Sequence, residues 1–385
     1  MGRDIASYDN TSDNYTVTRN ADGSVTVADI SGGASSGRDT LRNIEIVKFI
    51  DTGLRLHGGI HDFDDSGSAD ILLRNSEGVT GLWSMNGITV TSLTLTSVQV
   101  LNDWEIKAIA DFDGNGTSDI LWLHADSGSA LDGVSYVSYQ DGAAATGGNV
   151  VQQLSGWSIA GVGDFTGDGK ADVLYRSDTT GMTYLDVMDG AAIDWGSSGF
   201  TSSQVTDTKW TVAAVADFNG DGKADLLWRY DNAADLSDPL NGTLFEWKMD
   251  GSNVTSADLL SQQASGNWQV AGTGDFDGNG TADILFRYHN ASNTSDALNG
   301  LSYIDFMNGE MVAKGAPTRW QVGEDWQLAS IGDFDGNLKS DILWRQTSTG
   351  ATYAWLMDGT NVAAAGFTSE QAGTGWATQN GTLIG

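Results

Sequence analysis

Six nine-residue segments hold the densest chemistry in this 385-residue chain, and they share one pattern of oxygen-bearing side chains. Position 1 is Asp62, Asp111, Asp164, Asp217, Asp275 or Asp333, and position 9 is Asp70, Asp119, Asp172, Asp225, Asp283 or Asp341. Position 3 is Asp64, Asp113, Thr166, Asn219, Asp277 or Asp335, and position 5 is Ser66, Asn115, Asp168, Asp221, Asn279 or Asn337. Position 7 is Ser68, Thr117, Lys170, Lys223, Thr281 or Lys339, and there only the backbone carbonyl is a candidate ligand. Side-chain oxygens at 1, 3, 5 and 9 with a carbonyl at 7 form a cage for a hard cation. Two carboxylates ~4 Å apart repel by about 1 kcal/mol in water and about 4 kcal/mol at an effective dielectric of 20. A divalent ion removes that repulsion. A flexible, all-oxygen, water-sharing loop suits calcium better than the smaller magnesium ion, which demands a regular octahedron. Up to six calcium ions are expected. The first and sixth loops should hold theirs most weakly, because Asp65 replaces glycine at position 4 and Leu338 replaces it at position 6.

The loops recur at intervals of 49, 53, 53, 58 and 58 residues, so the elements that position them must repeat as well. Seven residues before the opening Asp stands a tryptophan in five copies: Trp104, Trp157, Trp210, Trp268 and Trp326. A short apolar run follows each closing Asp, such as Leu226-Leu227-Trp228. Each copy then carries an Asn-Gly or Asp-Gly pair, at Asn86, Asp141, Asp189, Asp250, Asn308 and Asp358. Such pairs signal hairpins, because both central residues take positive φ. Each unit reads as strand, acidic loop, strand, turn, strand, Asx-Gly turn, strand. The expected fold is therefore all-β: a β-propeller of four-stranded antiparallel blades. The phenylalanine at position 2 should point into the core, and the recurring tryptophans should pack between blades. Trp195 and Trp320 fall off this register and are candidates for ligand stacking.

Closure of the ring is the open point. A seventh tryptophan strand is expected from Trp376 to Ile384 with no acidic loop after it, and strand-like runs occur at Tyr15–Arg19, Ser24–Ile30 and Ile44–Ile50. The preferred arrangement is a seventh, composite blade with its inner strand from the C-terminus and the rest from residues 1–53. The alternative is six blades, within residues 54–385, and a separate N-terminal β-module.

Composition narrows the partners. Nineteen basic against 51 acidic residues give a net charge of −32, which repels nucleic acid and anionic membranes. No apolar run approaches the roughly 20 residues that span a bilayer. With no cysteine, disulfides, thiolate metal sites and Cys nucleophiles are excluded. The opening Met1-Gly2-Arg3 leads into no apolar signal core, so an export signal was removed, lies elsewhere or was never present.

The Asp-Phe-x-Gly-x-Gly-x-x-Asp loop between strands resembles the FG-GAP, integrin-α-like repeat. That resemblance, over roughly residues 54–385, implies calcium at the periphery of a propeller, usually a seven-bladed one. Residues Asn14–Asp51 resemble the trailing segment of bacterial repeats-in-toxin proteins, through Tyr15-Thr-Val-Thr, Asp22-Gly-Ser-Val-Thr-Val and Gly37-Arg-Asp-Thr-Leu-Arg-Asn-Ile-Glu45. This implies a secreted bacterial protein of the type I export class, at or beyond the cell surface. The first family includes lectins, adhesins and, less often, polysaccharide lyases, so fold alone leaves function open.

The fourth and fifth repeats share an insertion, Arg229–Gly242 and Arg287–Gly300, in which nine of fourteen positions match. Tyr230, Asn232, Asp238 and Asn241 recur as Tyr288, Asn290, Asp296 and Asn299. Aromatic faces beside amides and carboxylates suit sugars, so a glycan or cell-surface polysaccharide is the expected partner of a monomeric binding or adhesion module. A duplicated interlocking loop is the alternative. Arg74, Arg176, Arg229, Arg287 and Arg345 recur after the acidic loops and are expected in structural ion pairs between blades. Catalysis has little support, since His57, His61, His124 and His289 lie in no recognisable motif. Tyr288 with His289 is the one acid–base pair a lyase could use, and the fourth repeat has Asp231 in place of that histidine. A passive spacer within a larger secreted protein is the remaining reading.

Overall fold

A computed structural model describes residues 5–10, 14–19, 25–31, 37–41, 46–48, 53–55, 61–235, 237–260, 266–309 and 311–379. The chain is all-β, and its sheets are the blades of a β-propeller. Blade two shows the pattern: inner strand Trp104–Ala110, acidic loop, then Asp119–His124, Val134–Asp141 and the outer strand Ala144–Gln153, all antiparallel neighbours. The inner strands of blades three to six begin at Trp157, Trp210, Trp268 and Trp326, and each lies beside the inner strand of the next blade. Each of these five inner strands carries a register shift two residues after its tryptophan, for example between Ile106 and Ala108. A bulge there raises the local twist, as a radial sheet requires. Blade three departs from the pattern, for its outer strand is only Gly199–Phe200 and a small hairpin, Met188–Asp189 with Ala192–Ile193, precedes it.

The C-terminal strand corrects the preferred closure. Trp376–Gln379 pairs antiparallel with Ile71–Asn75, in the register Trp376 opposite Asn75, and so supplies the inner strand of the first loop's own blade. Among the described residues this gives six four-stranded sheets and no composite seventh. The physical reason is the bare edge of Ile71–Asn75, whose preceding segment forms no inner strand among the described residues. Trp376 covers that edge and packs against the cluster containing Leu73 and Trp83. Residues 380–385 of the expected Trp376–Ile384 run lie outside the described residues.

A second closure runs through the acidic loops. The position-8 N–H of each loop donates to the position-1 carbonyl of the loop before it: Ser118 to Asp62, Ala171 to Asp111, Ala224 to Asp164, Ala282 to Asp217 and Ser340 to Asp275. Ala69 of the first loop completes the circle by donating to Asp333 of the sixth, and the six N···O distances span 2.6–2.8 Å.

The N-terminal strands pair among themselves. Tyr15–Arg19, Val25–Asp29 and Arg38–Leu41 form one antiparallel sheet, while Ile5–Ser7, Ile46–Lys48 and Gly53–Arg55 form a mixed one in which Ile5–Ser7 runs parallel to Ile46–Lys48. Their shared core is Val25, Val27 and Val47, and Leu338 of the sixth acidic loop packs against it.

Between blades the core is aromatic. All six position-2 phenylalanines, Phe63, Phe112, Phe165, Phe218, Phe276 and Phe334, are buried as expected, and burial of one such ring contributes about 1.5–3 kcal/mol. Trp228 meets Trp247 edge-on at 5.0 Å and Trp344 meets Trp355 at 5.2 Å.

The recurring arginines do bridge blades, but not as ion pairs. Arg74, Arg176, Arg229 and Arg345 donate to the backbone carbonyls of Trp104, Trp210, Trp268 and Trp376 in the next blade, and Arg287 donates to that of Gly323. Arg74, Arg176 and Arg287 also lie over the rings of Trp122, Trp228 and Trp344, at 4.9–5.2 Å from the centroids. Among the described residues their single carboxylate partner, Asp231 of Arg229, comes from the same blade. Bare carbonyls at the mouth of an inner strand need a forked donor, and guanidinium supplies one in fixed geometry. Replacing Arg176 with Ala should cost about 3 kcal/mol, as charged hydrogen bonds and a cation–π contact are lost together. Urea unfolding would show this as a lower midpoint at unchanged slope. Arg176→Lys should recover less than half the loss, and an unaltered midpoint for the alanine variant would remove the residue from this role.

Candidate metal centres

Local backbone geometry shapes each acidic loop before any ion is considered. Positions 4 and 6 lie at positive φ in every copy, mostly as glycine. The two exceptions adopt the same conformation, Asp65 at φ 54° and Leu338 at φ 70°. A non-glycine residue pays roughly 1–2 kcal/mol for this, and Leu338 recovers part of it in its contact with the N-terminal valines.

Within the loop each carboxylate is aimed by main-chain donors. Asp111 is representative: one oxygen accepts from Gly114 N at 2.7 Å and Asn115 N at 3.2 Å, the other from Gly116 N at 3.0 Å. Asp164 and Asp275 repeat the arrangement. The position-5 oxygen accepts from the position-7 N–H, as Asn115 does from Thr117 and Asp221 from Lys223.

Position 9 has a structural task that the loop spacing alone does not reveal. In all six copies one of its oxygens accepts from the position-2 N–H, and the other from the residue just before the Asx-Gly turn. Those third-strand donors are Met85, Gln140, Met188, Met249, Met307 and Met357. Their signal was present in the sequence, as a methionine preceding five of the six Asx-Gly pairs. Each position-9 Asp thus ties the loop to the third strand and keeps one face of each oxygen for a further partner.

The first, second, fifth and sixth loops bring three carboxylates together: Asp62, Asp64 and Asp70; Asp111, Asp113 and Asp119; Asp275, Asp277 and Asp283; Asp333, Asp335 and Asp341. In each set one oxygen per residue lies within 4.8 Å of the others. In the third and fourth loops position 3 is neutral, Thr166 or Asn219. There the third carboxylate stands at position 5 instead, Asp168 or Asp221, so the placement of that carboxylate, not the number of charges, separates these two loops from the four in which three carboxylates converge.

Position 7 is split along a different line, with lysine in the third, fourth and sixth loops. Lys170, Lys223 and Lys339 pair with Asp189, Asp250 and Asp358 of the Asx-Gly turn in their own blade. Their stems cover Gly114, Gly167 and Gly278 of the preceding loop. Thr117 and Thr281 instead donate to the carbonyls of Gln140 and Met307.

The electrostatics are those of crowded, desolvated anions. With no cation bound, burial first, aided by neighbouring carboxylates, raises Asp70, Asp119, Asp225, Asp283 and Asp341 to about 8. Burial likewise raises Asp172, Asp275 and Asp333 to about 7 and Asp62 to about 6. Two buried position-3 oxygens, Asp277 Oδ1 and Thr166 Oγ1, have no hydrogen-bond partner among the described residues. Convergent hard donors, anions held protonated against their nature and orphaned oxygens at the ligand position together fit a divalent cation. The residues that would hold it are those at positions 1, 3, 5 and 9, with the carbonyl at 7.

The eight residues proposed to meet a ligand lie elsewhere, Tyr230 and Tyr288 at the ends of second strands and the other six in the long connections to the third strands. Because inner and second strands run antiparallel, these connections sit at the end of each blade opposite the acidic loop. The structure brings each set of four together, but upon itself. Tyr230 is 4% exposed, its hydroxyl donates to Asp238, and Asn232 Nδ2 donates to the same carboxylate. Asn241 accepts from Asn232 N and donates to the carbonyl of Asp235. Tyr288, Asn290, Asp296 and Asn299 repeat every one of these bonds, with Asn293 in place of Asp235. Tyr230 and Tyr288 also pack edge-on against Trp210 and Trp268. Blade two has a connection of the same kind, closed by Gly133 N to His124 O as Gly242 N closes on Tyr230 O, which sequence comparison passed over. The exposed aromatics include the two off-register tryptophans, Trp195 at 69% and Trp320 at 44%, together with Phe200 and Phe367. Tyr288 also accepts from Asn267, and His289 pairs with Glu324.

Residues 164–228, from the third acidic loop through the second strand of blade four, match the family model of the FG-GAP-like repeat. No curated protein matches the chain. Among solved structures it is similar to a chain of a nidogen/laminin complex, at 11% identity over 77% of this chain and 93% of that one, with a TM-score of 0.46. It is also similar to the Dos1 propeller, at 8% identity over 97% and 85% with a TM-score of 0.37. A chain of the Photorhabdus luminescens Tc holotoxin pore matches at 15% identity over 94% of this chain and 16% of that one, with a TM-score of 0.47. Among the described residues no helix is long and apolar enough to cross a membrane.

Proposed function

We propose that this protein is an extracellular, calcium-binding propeller of the bacterial surface that serves as a carbohydrate-binding or adhesion module, with calcium structural. The observation that carries the reading is the convergence of three carboxylates in four loops, each set held by main-chain donors at the same end of its blade. Calcium supplies there the positive charge that lets those carboxylates stay ionised while buried. Metal binding at one end leaves the other free for a partner. A glycan suits a surface with exposed tryptophans and long polar connections, and nucleic acid does not suit a net charge of −32. A passive spacer is the second reading, and the self-satisfied hydrogen bonding of the two insertions favours it. The lyase reading is weaker, because Tyr288 and His289 each have a partner already.

Glycan-array binding in calcium tests the proposal against a variant in which residues 231–241 and 289–299 are replaced by the Asp178-Thr179-Thr180 turn of blade three. Binding by the wild type that falls at least ~10-fold in the variant, with the melting temperature nearly kept, supports the module. Silence from the wild type leaves the spacer.

A further inference from the structure

We propose that the six metal loops are coupled around the ring, so that filling one raises the cation affinity of its neighbours. This rests on the calcium reading above. It comes from the closed circle of hydrogen bonds in which position 8 of each loop donates to position 1 of the loop before. The chain has no cis peptide among the described residues. In a trans peptide the N–H of position 8 and the C=O of position 7 belong to one planar unit and point in opposite directions. Since the N–H leaves the loop for its neighbour, the carbonyl faces inward. Ser66 Oγ shows this directly, donating to the carbonyl of Ser68 at 3.4 Å.

One peptide unit therefore carries a ligand oxygen for its own loop at one end and a donor for the preceding loop at the other. A cation drawing on the carbonyl polarises the unit and strengthens its N–H as a donor. That N–H holds the backbone of position 1, whose carboxylate is aimed at the preceding site. Lysine stems at position 7 reinforce the link, since Lys170, Lys223 and Lys339 cover the position-4 glycines of the loops before them. The same contacts transmit order in both directions, as any equilibrium coupling must.

The test uses the whole chain and calcium alone, read by amide NMR. The position-6 glycines Gly169, Gly222 and Gly280 report the third, fourth and fifth loops separately. Asp113→Ala removes a carboxylate from the second loop. The expected result is that the calcium midpoint at Gly169, in the adjacent loop, rises about five-fold or more, while that at Gly280, opposite in the ring, shifts much less. Midpoints unchanged at all three glycines would overturn the coupling while leaving calcium binding intact. A uniform rise at all three would also overturn it, as general destabilisation. No calcium response in the wild type would overturn the metal reading itself. A second variant, Ala171→Pro, deletes the N–H to Asp111 but no ligand. It should keep the number of ions bound while separating the midpoints of the second and third loops, and a titration identical to wild type would count against the relay.

Discussion

Chelating divalent cations should lower the melting temperature of this protein by about 20 °C. A ligand present at 100 times its dissociation constant stabilises by about 2.7 kcal/mol per site, and a large domain shifts by roughly 2 °C per kcal/mol. The four loops in which three carboxylates converge alone reach that figure. The pH dependence should distinguish the two states further. In the metal-free protein, burial raises the position-9 carboxyls well above the ordinary Asp value of 3.8, to about 8 for Asp70, Asp119, Asp225, Asp283 and Asp341. The folded state then binds more protons than the unfolded one between about pH 4 and pH 8, so stability falls as pH rises through that window. Calcium reverses the slope, because it competes with those protons. Melts in EDTA and in calcium at pH 5 and pH 8 would show it. Equal melting temperatures across all four conditions would contradict a structural role for the metal.

Removing the C-terminal strand should be as damaging. A chain ending at Gly375 loses the inner strand of blade one, leaving Ile71–Asn75 with an open edge and Leu73 and Trp83 without the ring of Trp376. It also loses the Trp376 carbonyl that Arg345 grips. Trp376 is half-buried, so its loss costs less than the about 3–5 kcal/mol of a fully buried Trp, but the missing ladder adds to it, against a total of about 5–15 kcal/mol for a typical domain. The truncated chain should expand on gel filtration and lose its cooperative melt. A compact, cooperatively melting product would show that the circle of loop hydrogen bonds closes the ring unaided.

What could be read in advance was whatever repeats. Phe63 and its five counterparts and the strand order within a blade follow from local spacing and appear where expected, and carboxylates at positions 1, 3 and 9 converge in four of the six loops. Closure does not repeat, and so the choice of partner for Trp376 turned on which edge lay bare, a property of distant residues. The arginines misled for a related reason. In a chain with 51 acidic residues an ion pair is the natural guess, yet the groups that needed them were backbone carbonyls, which no side-chain pattern displays. Tyr230, Asn232, Asp238 and Asn241 were recognised as a set, and they are one. Their duplication in blade five records a self-contained brace as well as it would record a binding surface, and spacing alone does not separate the two.

Leu338 has a consequence for how the molecule stands. By meeting Val25, Val27 and Val47 it pins the N-terminal sheets beside an acidic loop, so the two ends of the blades are not equivalent. Anything attached through those N-terminal strands would be mounted at the acidic-loop end, and the braced insertions of blades four and five would then project away from the attachment.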